Sequence, residues 1–355
     1  MKNSKPTNRY ESLDGLRAIS IFGILLMHYI DNIDKKICTN LMGDSFLYSD
    51  IIPFCTQFVY VFFIVSALSM CCGYFEKFRW VDGACQFNLN TFYNKRYMRI
   101  WPFFALLVLI DLAMKPSLSE LYEGFADLTL AFNLLPNPDI HVIGVAWFVG
   151  VIFLFYMLFP WFVYLLQSKL RAWGAMVVAL IMNVILMQYF MTPEFCTESQ
   201  MAMPRINFLY SFPFILAGGM LYLYRKELTG ILPKWISLGL TIVGILIQFI
   251  WEPAPFGDNH LYLLLLFCCL IVFFMNYEGK LFNNKVLHFL GGYSMEVYLC
   301  HMMIFRILEK VHLDHFITND HIFYWLTCIL GFTCSVAFAW CFKQVSEKIS
   351  AIRNK

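Results

Sequence analysis

Long apolar runs, separated by short polar segments, dominate the chain. A helix of about 20 mainly apolar residues spans a hydrocarbon core about 30 Å thick. Ten runs of spanning length, bounded by charged residues or by Pro and Gly, occupy residues 17–33, 51–74, 97–114, 146–167, 172–191, 206–224, 235–251, 260–277, 287–308 and 322–342. This pattern predicts an all-α polytopic membrane protein with about ten transmembrane helices.

One further stretch, residues 118–135, has a different pattern. Glu120, Glu123 and Asp127 recur there at helical spacing among apolar residues. Such a pattern is typical of an amphipathic helix. We predict that this helix lies on the outer surface of the bilayer and does not span it.

Basic residues are distributed unevenly among the segments that connect the runs. Alternate segments, counted from the N-terminus, hold 20 of the 26 Lys and Arg. The other segments hold six, namely Lys35, Lys36, Lys115, Arg205, Arg306 and Lys310. Because cytoplasmic segments of membrane proteins carry the excess of Lys and Arg, both termini are predicted to be cytoplasmic.

The composition agrees with a membrane protein. Of 355 residues, 60% are hydrophobic and 14% are charged, which excludes an ordinary soluble domain. Because no linker or low-complexity tract interrupts the runs, residues 1–355 are predicted to form a single integral-membrane domain. No signal-peptide cleavage site precedes the first run, so that run is expected to remain in the mature protein. The net charge of +2 identifies no partner, and no nucleic-acid partner is expected.

The chain contains twelve cysteines, most of them inside apolar runs. None has the spacing of zinc ligands, so they are interpreted as small packing residues. Cys38 and Cys196 fall in predicted external segments, where a disulfide between them is the alternative.

The first apolar run carries two ionisable residues, Arg17 and His28. Eleven positions separate them, which places both on one stripe of a helix. The imidazole lies about 16 Å further along the helix, near mid-membrane, while the guanidinium stays at the interface. An ionisable side chain at that depth predicts a functional site. The alternative is a histidine that only hydrogen-bonds a neighbouring helix.

A second cluster, Lys95 to Pro102, lies at the predicted cytoplasmic mouth of the third run. Arg96 and Arg99 share a helix face, which suits two guanidinium groups that converge on one phosphate. Pro102 favours a helix start, and a helix N-terminus also attracts anions. Anchoring of basic residues among lipid headgroups explains the same spacing equally well.

A third cluster enters the ninth run, where Glu296 and His301 are ionisable within apolar sequence. Such residues are costly in hydrocarbon unless they are paired or face a polar cavity. They lie about 140° apart on a helix, so a direct pair is not expected. His301 is instead predicted to face the cavity that holds His28, with interhelical hydrogen bonding as the alternative.

Three further histidines, His312, His315 and His321, share one predicted external segment. No matching carboxylate pattern accompanies them, so no metal site is expected.

With these residues assembled, the chain resembles the acyltransferase-3 family of integral-membrane acyltransferases, over nearly its whole length and in five segments. The first is YESLDGLRAISIFGILLMH (Tyr10–His28), with Arg, ten residues, then His. The others are FFIVSAL (Phe62–Leu68), similar to FFxxSG; Lys95–Pro102, similar to RxxR before a proline; AWFV (146–149) with FYMLFP (155–160); and GGYSMEVYLCH (Gly291–His301), similar to G-x-x-S-x-x-x-Y-L-x-H.

The resemblance implies transfer of an acyl group, commonly acetyl from cytoplasmic acetyl-CoA, to a hydroxyl of a cell-surface carbohydrate or related envelope molecule. It implies a multi-pass protein of the bacterial inner (plasma) membrane. His28 would be the key polar residue, and Arg17, Arg96 and Arg99 would engage the CoA phosphates. Many family members carry Glu where this chain has Ile152 and Phe153, which suggests a subgroup that does not use that carboxylate.

Two chemical routes fit this resemblance. A neutral imidazole at His28 can take the proton of the acceptor hydroxyl, or it can attack the thioester to form an acyl-imidazole. His301 is a second candidate catalytic residue near His28. Ser66 is a candidate donor to the developing oxyanion, although a helical serine usually bonds the preceding turn.

Two other functions remain open. Ten helices with polar residues inside the membrane also fit a transporter or flippase of envelope saccharides, which needs no CoA site. A degenerate scaffold without activity is the second, prompted by Ile152 and Phe153.

Overall fold

The computed structural model describes residues 10–37, 41–81, 84–85, 88–134, 143–191, 204–250 and 260–353. The longer helices in these ranges are α1 (Ser12–Ile37), α2 (Phe58–Tyr74), α3 (Leu89–Met114), α4 (Leu118–Leu128), α5 (Trp147–Leu166), α6 (Lys169–Ile185), α7 (Phe208–Leu223), α8 (Arg225–Ile231), α9 (Lys234–Ile250), α10 (Leu263–Met275), α11 (Lys285–Gly292), α12 (Ser294–Glu309) and α13 (Asp320–Arg353). The predicted all-α class is confirmed.

Shorter elements complete the described fold. Helical turns from Leu47 to Gln57 lead directly into α2, and the turn Leu186–Phe190 extends α6. A small antiparallel hairpin of β1 (Trp80–Val81) and β2 (Ala84–Cys85) lies between α2 and α3. Its two-residue strands were not predicted from the sequence.

The number of spans differs from the expectation. All ten predicted runs contain helix, but within the described ranges six helical segments are long and apolar enough to cross a membrane. A seventh arises if α8 and α9, bent by 86°, form one broken span. The shorter apolar helices include α7, whose 16 residues extend only about 24 Å. The structure therefore supports a polytopic membrane protein without confirming ten spans.

The start of α3 corrects a second expectation. The helix begins at Leu89, where the Asn88 side chain accepts a hydrogen bond from the Thr91 amide at 3.1 Å. Pro102 lies inside the helix, so the prediction that it marks a helix start is wrong. The Asn88 side chain pairs the Thr91 amide, which would otherwise have no partner at the helix end. The helix can therefore begin at Leu89, ahead of the apolar run. The basic cluster therefore lies within the helix, and attraction of anions to a helix N-terminus does not apply to it.

Helix α1 lies at the centre of the bundle, against α2, α11, α12 and α13. Its first turn packs closely on α11, because Gly291 has no side chain. A Cβ at position 291 would overlap the Asp14 carbonyl group. This approach brings the start of α1 next to the start of α12.

The periphery of the bundle is apolar. Outward-facing residues on α6 and α9 include Val178, Ile181, Leu240 and Val243, all of them exposed. Side chains of this kind suit contact with lipid acyl chains, since the chain is a multi-pass membrane protein.

Helix α4 confirms a helix in the stretch 118–135, over Leu118–Leu128. Its apolar residues Leu118, Tyr122 and Phe125 are exposed, whereas Asp127 is fully buried against the protein. Burial, together with the nearby Glu123 and Asp111 carboxylates, raises the pKa of Asp127 to about 8. An apolar outer face and a buried acid fit a helix that lies against lipid.

Candidate active site

A cavity of about 340 Å³ opens at the end of the bundle where α1 begins. Its wall contains four of the residues predicted for the site, Arg17, Ser66, Arg96 and Arg99. The other lining residues are Asp14, Phe62, Ser69, Met70, Tyr74, Phe148, Ile152, Tyr156, Gly291, Gly292, Ser294, Met295 and Tyr298. We call this the basic cavity. By the predicted topology it faces the cytoplasm.

Arg17 is held by two neighbours on different helices. One guanidinium nitrogen donates to Asp14 Oδ1 at 2.7 Å, and the other donates to Ser69 Oγ at 2.7 Å. Asp14 Oδ2 also lies 3.3 Å from His288 Nδ1. Asp14 therefore fixes the orientation of Arg17 and compensates its charge within the cavity wall.

Arg96 has a different environment, which is aromatic. It donates to the Tyr74 hydroxyl at 3.1 Å and to Met70 Sδ at 3.5 Å. Its guanidinium carbon lies 5.2 Å from the Tyr74 ring centroid and 5.7 Å from that of Tyr156. No carboxylate contacts Arg96 among the residues that the structure describes. Cation–π contacts orient the group without neutralising it.

Arg99 is paired with Glu296, which extends from α12 toward α3. The Glu296 side chain is only 7% exposed, whereas that of Arg99 is 40% exposed. Glu296 and His301 do not pair directly, as expected, but the arginine partner was not predicted. Arg96 and Arg99 line one cavity, yet the Arg99 guanidinium is already engaged by a carboxylate. They are therefore not two equivalent phosphate ligands.

His28 and His301 meet deeper in the bundle. Their ring centroids are 5.3 Å apart, with an interplanar angle of 41°. His301 Nδ1 donates to the Tyr298 carbonyl oxygen at 2.6 Å, which leaves Nε2 as the nitrogen with a lone pair. That Nε2 is buried and has no hydrogen-bond partner among the described residues. The expected proximity of the two histidines is therefore observed.

Neither histidine lines the basic cavity. Tyr298 fills the space between. Its ring lies 5.8 Å from the His301 ring and 5.1 Å from the ring of Phe148, another cavity residue. The Tyr298 hydroxyl is buried without a hydrogen-bond partner among the described residues. One side chain thus belongs to the cavity wall and also contacts the histidine pair.

Tyr298 was not predicted to line the site, although it belongs to the last of the five segments that carry the family resemblance. The signal available was a tyrosine three residues before His301, which places both near one helix face. The aromatic partners of Arg96, Tyr74 and Tyr156, gave no such signal. Of Ile152 and Phe153, Ile152 lies in the cavity wall, which is therefore apolar at that point.

Other predicted residues lie away from this site. Nine cysteines, including Cys71 and Cys300, have described side chains that are free thiols, which agrees with a packing role. Cys38 and Cys196 lie outside the described residues. The expectation that the external histidines lack a carboxylate partner is wrong, since Asp314 lies between His312 and His315. A turn of the loop produces this proximity.

The fold and the site define a polytopic membrane protein with an internal basic cavity at one end and a buried pair of histidines beyond it. The chain belongs to the acyltransferase-3 family, whose family model, described as an acyltransferase domain, matches residues 10–341. The protein is thus a membrane acyltransferase. No curated protein and no solved structure matches the chain.

Proposed function

We propose that the protein transfers an acyl group, with acetyl as the proposed group, from a cytoplasmic acyl-CoA to a hydroxyl of a cell-surface carbohydrate or its envelope precursor. The observation that carries this proposal is the grouping of Arg17, Arg96 and Arg99 around one cavity. Tyr298 in the wall of that cavity contacts His301 of the histidine pair. The proposed location is the inner membrane of a bacterium, with CoA on the cytoplasmic side.

The charges of the basic cavity suit a phosphate-bearing donor. Asp14 and Glu296 compensate Arg17 and Arg99, whereas Arg96 contacts no described carboxylate. Arg96 is therefore the main proposed ligand of a CoA phosphate, with the other two arginines in support. The CoA headgroup stays at this mouth because charge is expelled from hydrocarbon, while the pantetheine arm and its thioester extend inward.

The inner wall of the cavity supplies groups for the chemical step. The Tyr298 hydroxyl is proposed to donate a hydrogen bond to the thioester carbonyl oxygen as negative charge develops there, with Ser66 as a second candidate donor. His28 is proposed to take the proton of the acceptor hydroxyl while its oxygen attacks the thioester carbon. The carbon–sulfur bond then breaks, and CoA leaves as a thiol after taking up a proton.

His301 has a supporting role in this scheme. Its Nδ1–H is fixed by the Tyr298 carbonyl, so Nε2 faces its surroundings as an acceptor beside the His28 ring. An acceptor nitrogen at that place stabilises an imidazolium that forms on His28. Attack by His28 itself, which gives an acyl-imidazole, uses the same residues.

Binding of the donor is tested by thermal unfolding of the detergent-purified protein with acetyl-CoA. A saturating ligand adds about 2.7 kcal/mol at a hundredfold excess over Kd, so the melting temperature should rise. Arg96→Ala should abolish the rise. The matched control is Arg171→Ala, since Arg171 also stacks on a tyrosine, Tyr164 at 4.0 Å, but lies outside the cavity. A transporter of saccharides would show no rise with either protein.

Transfer itself is tested with His28→Ala in cells. Envelope polysaccharides from cells that express the wild type should carry an acyl mass increment that is missing with the variant. The purified variant should still be stabilised by acetyl-CoA, which shows that it folds. An unchanged increment in the variant cells would remove His28 from the mechanism.

A further inference from the structure

The loop between α12 and α13 lies at the end of the bundle opposite the basic cavity. Helix α12 carries Glu296 near that cavity and ends at Glu309, thirteen residues or about 20 Å further along. The loop is therefore remote from the proposed CoA site. Its residues have no role in the transfer derived above.

Three potential metal ligands converge in this loop. One ligand atom each from His312, Asp314 and His315 can be chosen so that all lie within 4.8 Å of one another. His312 Nδ1 lies 3.9 Å from Asp314 Oδ1, and His315 Nε2 lies 3.7 Å from Asp314 Oδ2. The two imidazole rings are stacked at 5.0 Å with an angle of 14°. The Asp314 carboxylate thus lies beside a ring nitrogen of each histidine on the same turn.

The backbone of the loop holds this arrangement. His312 has φ 52° and ψ 49°, in the left-handed region that non-glycine residues seldom adopt. Its amide donates to the Glu309 carbonyl at 3.1 Å, and the His315 amide donates to the His312 carbonyl at 3.1 Å. A strained residue fixed by turn hydrogen bonds is often a sign of functional constraint.

We infer that His312, Asp314 and His315 form a site for a divalent transition metal ion. The proposed ion is Zn²⁺. Two imidazoles and one carboxylate are a ligand set that zinc prefers, at distances of about 2.0 to 2.2 Å. Ligand atoms around such an ion lie about 3.3 Å apart, so small rotations of the exposed histidine side chains complete the geometry. Three protein ligands leave a fourth position open.

The open coordination position of the proposed metal ion lies next to a cavity. A cavity of about 220 Å³ adjoins the cluster and is lined by His312, Asp314, Glu309 and Thr327, with Phe305 and Phe323 as its apolar wall. Thr327 Oγ1 is buried there without a hydrogen-bond partner among the described residues. A small oxygen-bearing ligand on the metal ion would fit this cavity and accept a hydrogen bond from that hydroxyl.

The test uses the full-length protein in detergent, without a polyhistidine tag and after treatment with a chelator. Titration calorimetry with Zn²⁺ should show one binding site, and Zn²⁺ should raise the melting temperature. The double variant His312→Ala with His315→Ala should lose this site. Asp314→Asn should weaken it about tenfold or more. Ca²⁺ should bind poorly, because it prefers sites made of oxygen ligands.

His321 provides the matched control. It lies in the same part of the chain, but its ring contacts Tyr48 and Asp44 instead of the cluster. His321→Ala should retain Zn²⁺ binding. Equal binding by the wild type and the double variant, or no binding at millimolar Zn²⁺, would overturn the proposal.

Co²⁺ gives an independent measurement if the double variant folds poorly. A site with two histidines and one carboxylate should give visible absorption bands of tetrahedral or five-coordinate Co²⁺ in the wild type, and Asp314→Asn should need about tenfold more Co²⁺ for bands of the same intensity. Octahedral Co²⁺ bands in the wild type would contradict the proposed ligand set. The readout does not depend on acyl transfer, so it stands apart from the proposed function.

Discussion

Arg99 on α3 donates to the Glu296 carboxylate on α12, so an ion pair joins the two helices that flank the basic cavity. Glu296 is nearly buried, and removal of its partner would leave an uncompensated charge. Arg99→Ala is therefore expected to lower the free energy of unfolding by about 1 to 3 kcal/mol, less than for a fully buried pair because Arg99 is partly exposed. Thermal unfolding without ligand measures this loss.

A paired substitution separates this effect from donor binding. Arg99→Gln together with Glu296→Gln removes both charges and should recover most of the lost stability. Arg96→Ala removes no ion partner among the described residues, so it should affect acetyl-CoA binding more than stability. Equal loss of stability in Arg96→Ala and Arg99→Ala would contradict the assigned difference between the two arginines.

Tyr298→Phe removes a single hydroxyl that has no hydrogen-bond partner in the described structure. Because an unpaired buried hydroxyl is unfavourable, the melting temperature should stay the same or rise slightly. The rate of acyl transfer should fall about a hundredfold or more if this hydroxyl stabilises the oxyanion. Turnover with acetyl-CoA and an envelope extract measures the rate. A stable variant with full activity would assign that donor role elsewhere, with Ser66 next.

Asp127 predicts a pH dependence of stability. Its raised pKa of about 8 keeps the carboxyl group neutral in the folded protein, whereas the unfolded chain ionises above about pH 4. Asp127 therefore costs no stability at pH 4, and its cost grows as the pH rises to about 8. Asp127→Asn should raise the melting temperature at pH 8 and have little effect near pH 4. Melting curves across this range check the sign, and parallel curves for both proteins would contradict it.

Gly291 and Gly292 are neighbours in the sequence, but the space around them differs. A methyl group at position 291 would overlap the Asp14 carbonyl, whereas nothing lies within 4 Å of one at position 292. Gly291→Ala is expected to cost about 1 to 3 kcal/mol and to weaken acetyl-CoA binding through displacement of Arg17. Gly292→Ala should preserve stability. Melting temperatures of the two variants, with and without acetyl-CoA, test this difference. Equal values for the two variants would contradict it.

The sequence predicted the helical class and four residues of the cavity wall. Arg17, Arg96 and Arg99 were identified because charged groups stand out in or beside apolar runs, whereas Ser66 was identified from the family resemblance. The start of α3 was misplaced, because hydropathy marks the membrane part of a helix and not its polar extension to Asn88. That extension depends on a capping hydrogen bond.

Contacts between distant segments were beyond the sequence. The pair of Arg99 with Glu296 requires the packing of α3 on α12, and the position of Tyr298 requires the approach of Phe148 from α5. Asp314 adjoins the two histidines in the sequence, but the approach of all three side chains depends on the left-handed backbone at His312. None of these is encoded in a short periodic pattern that can be recognised in one chain.

The position of Tyr298 affects how much of the acyl donor is lost to hydrolysis in the proposed reaction. A thioester in contact with water is slowly hydrolysed, and histidine accelerates that hydrolysis. With an aromatic side chain between the water-accessible mouth and the imidazoles, bound donor is shielded from base-assisted loss to water. Transfer by the proposed route then requires this ring to shift far enough for His28 to reach the alcohol, while the Tyr298 hydroxyl stays within hydrogen-bond reach of the thioester carbonyl oxygen.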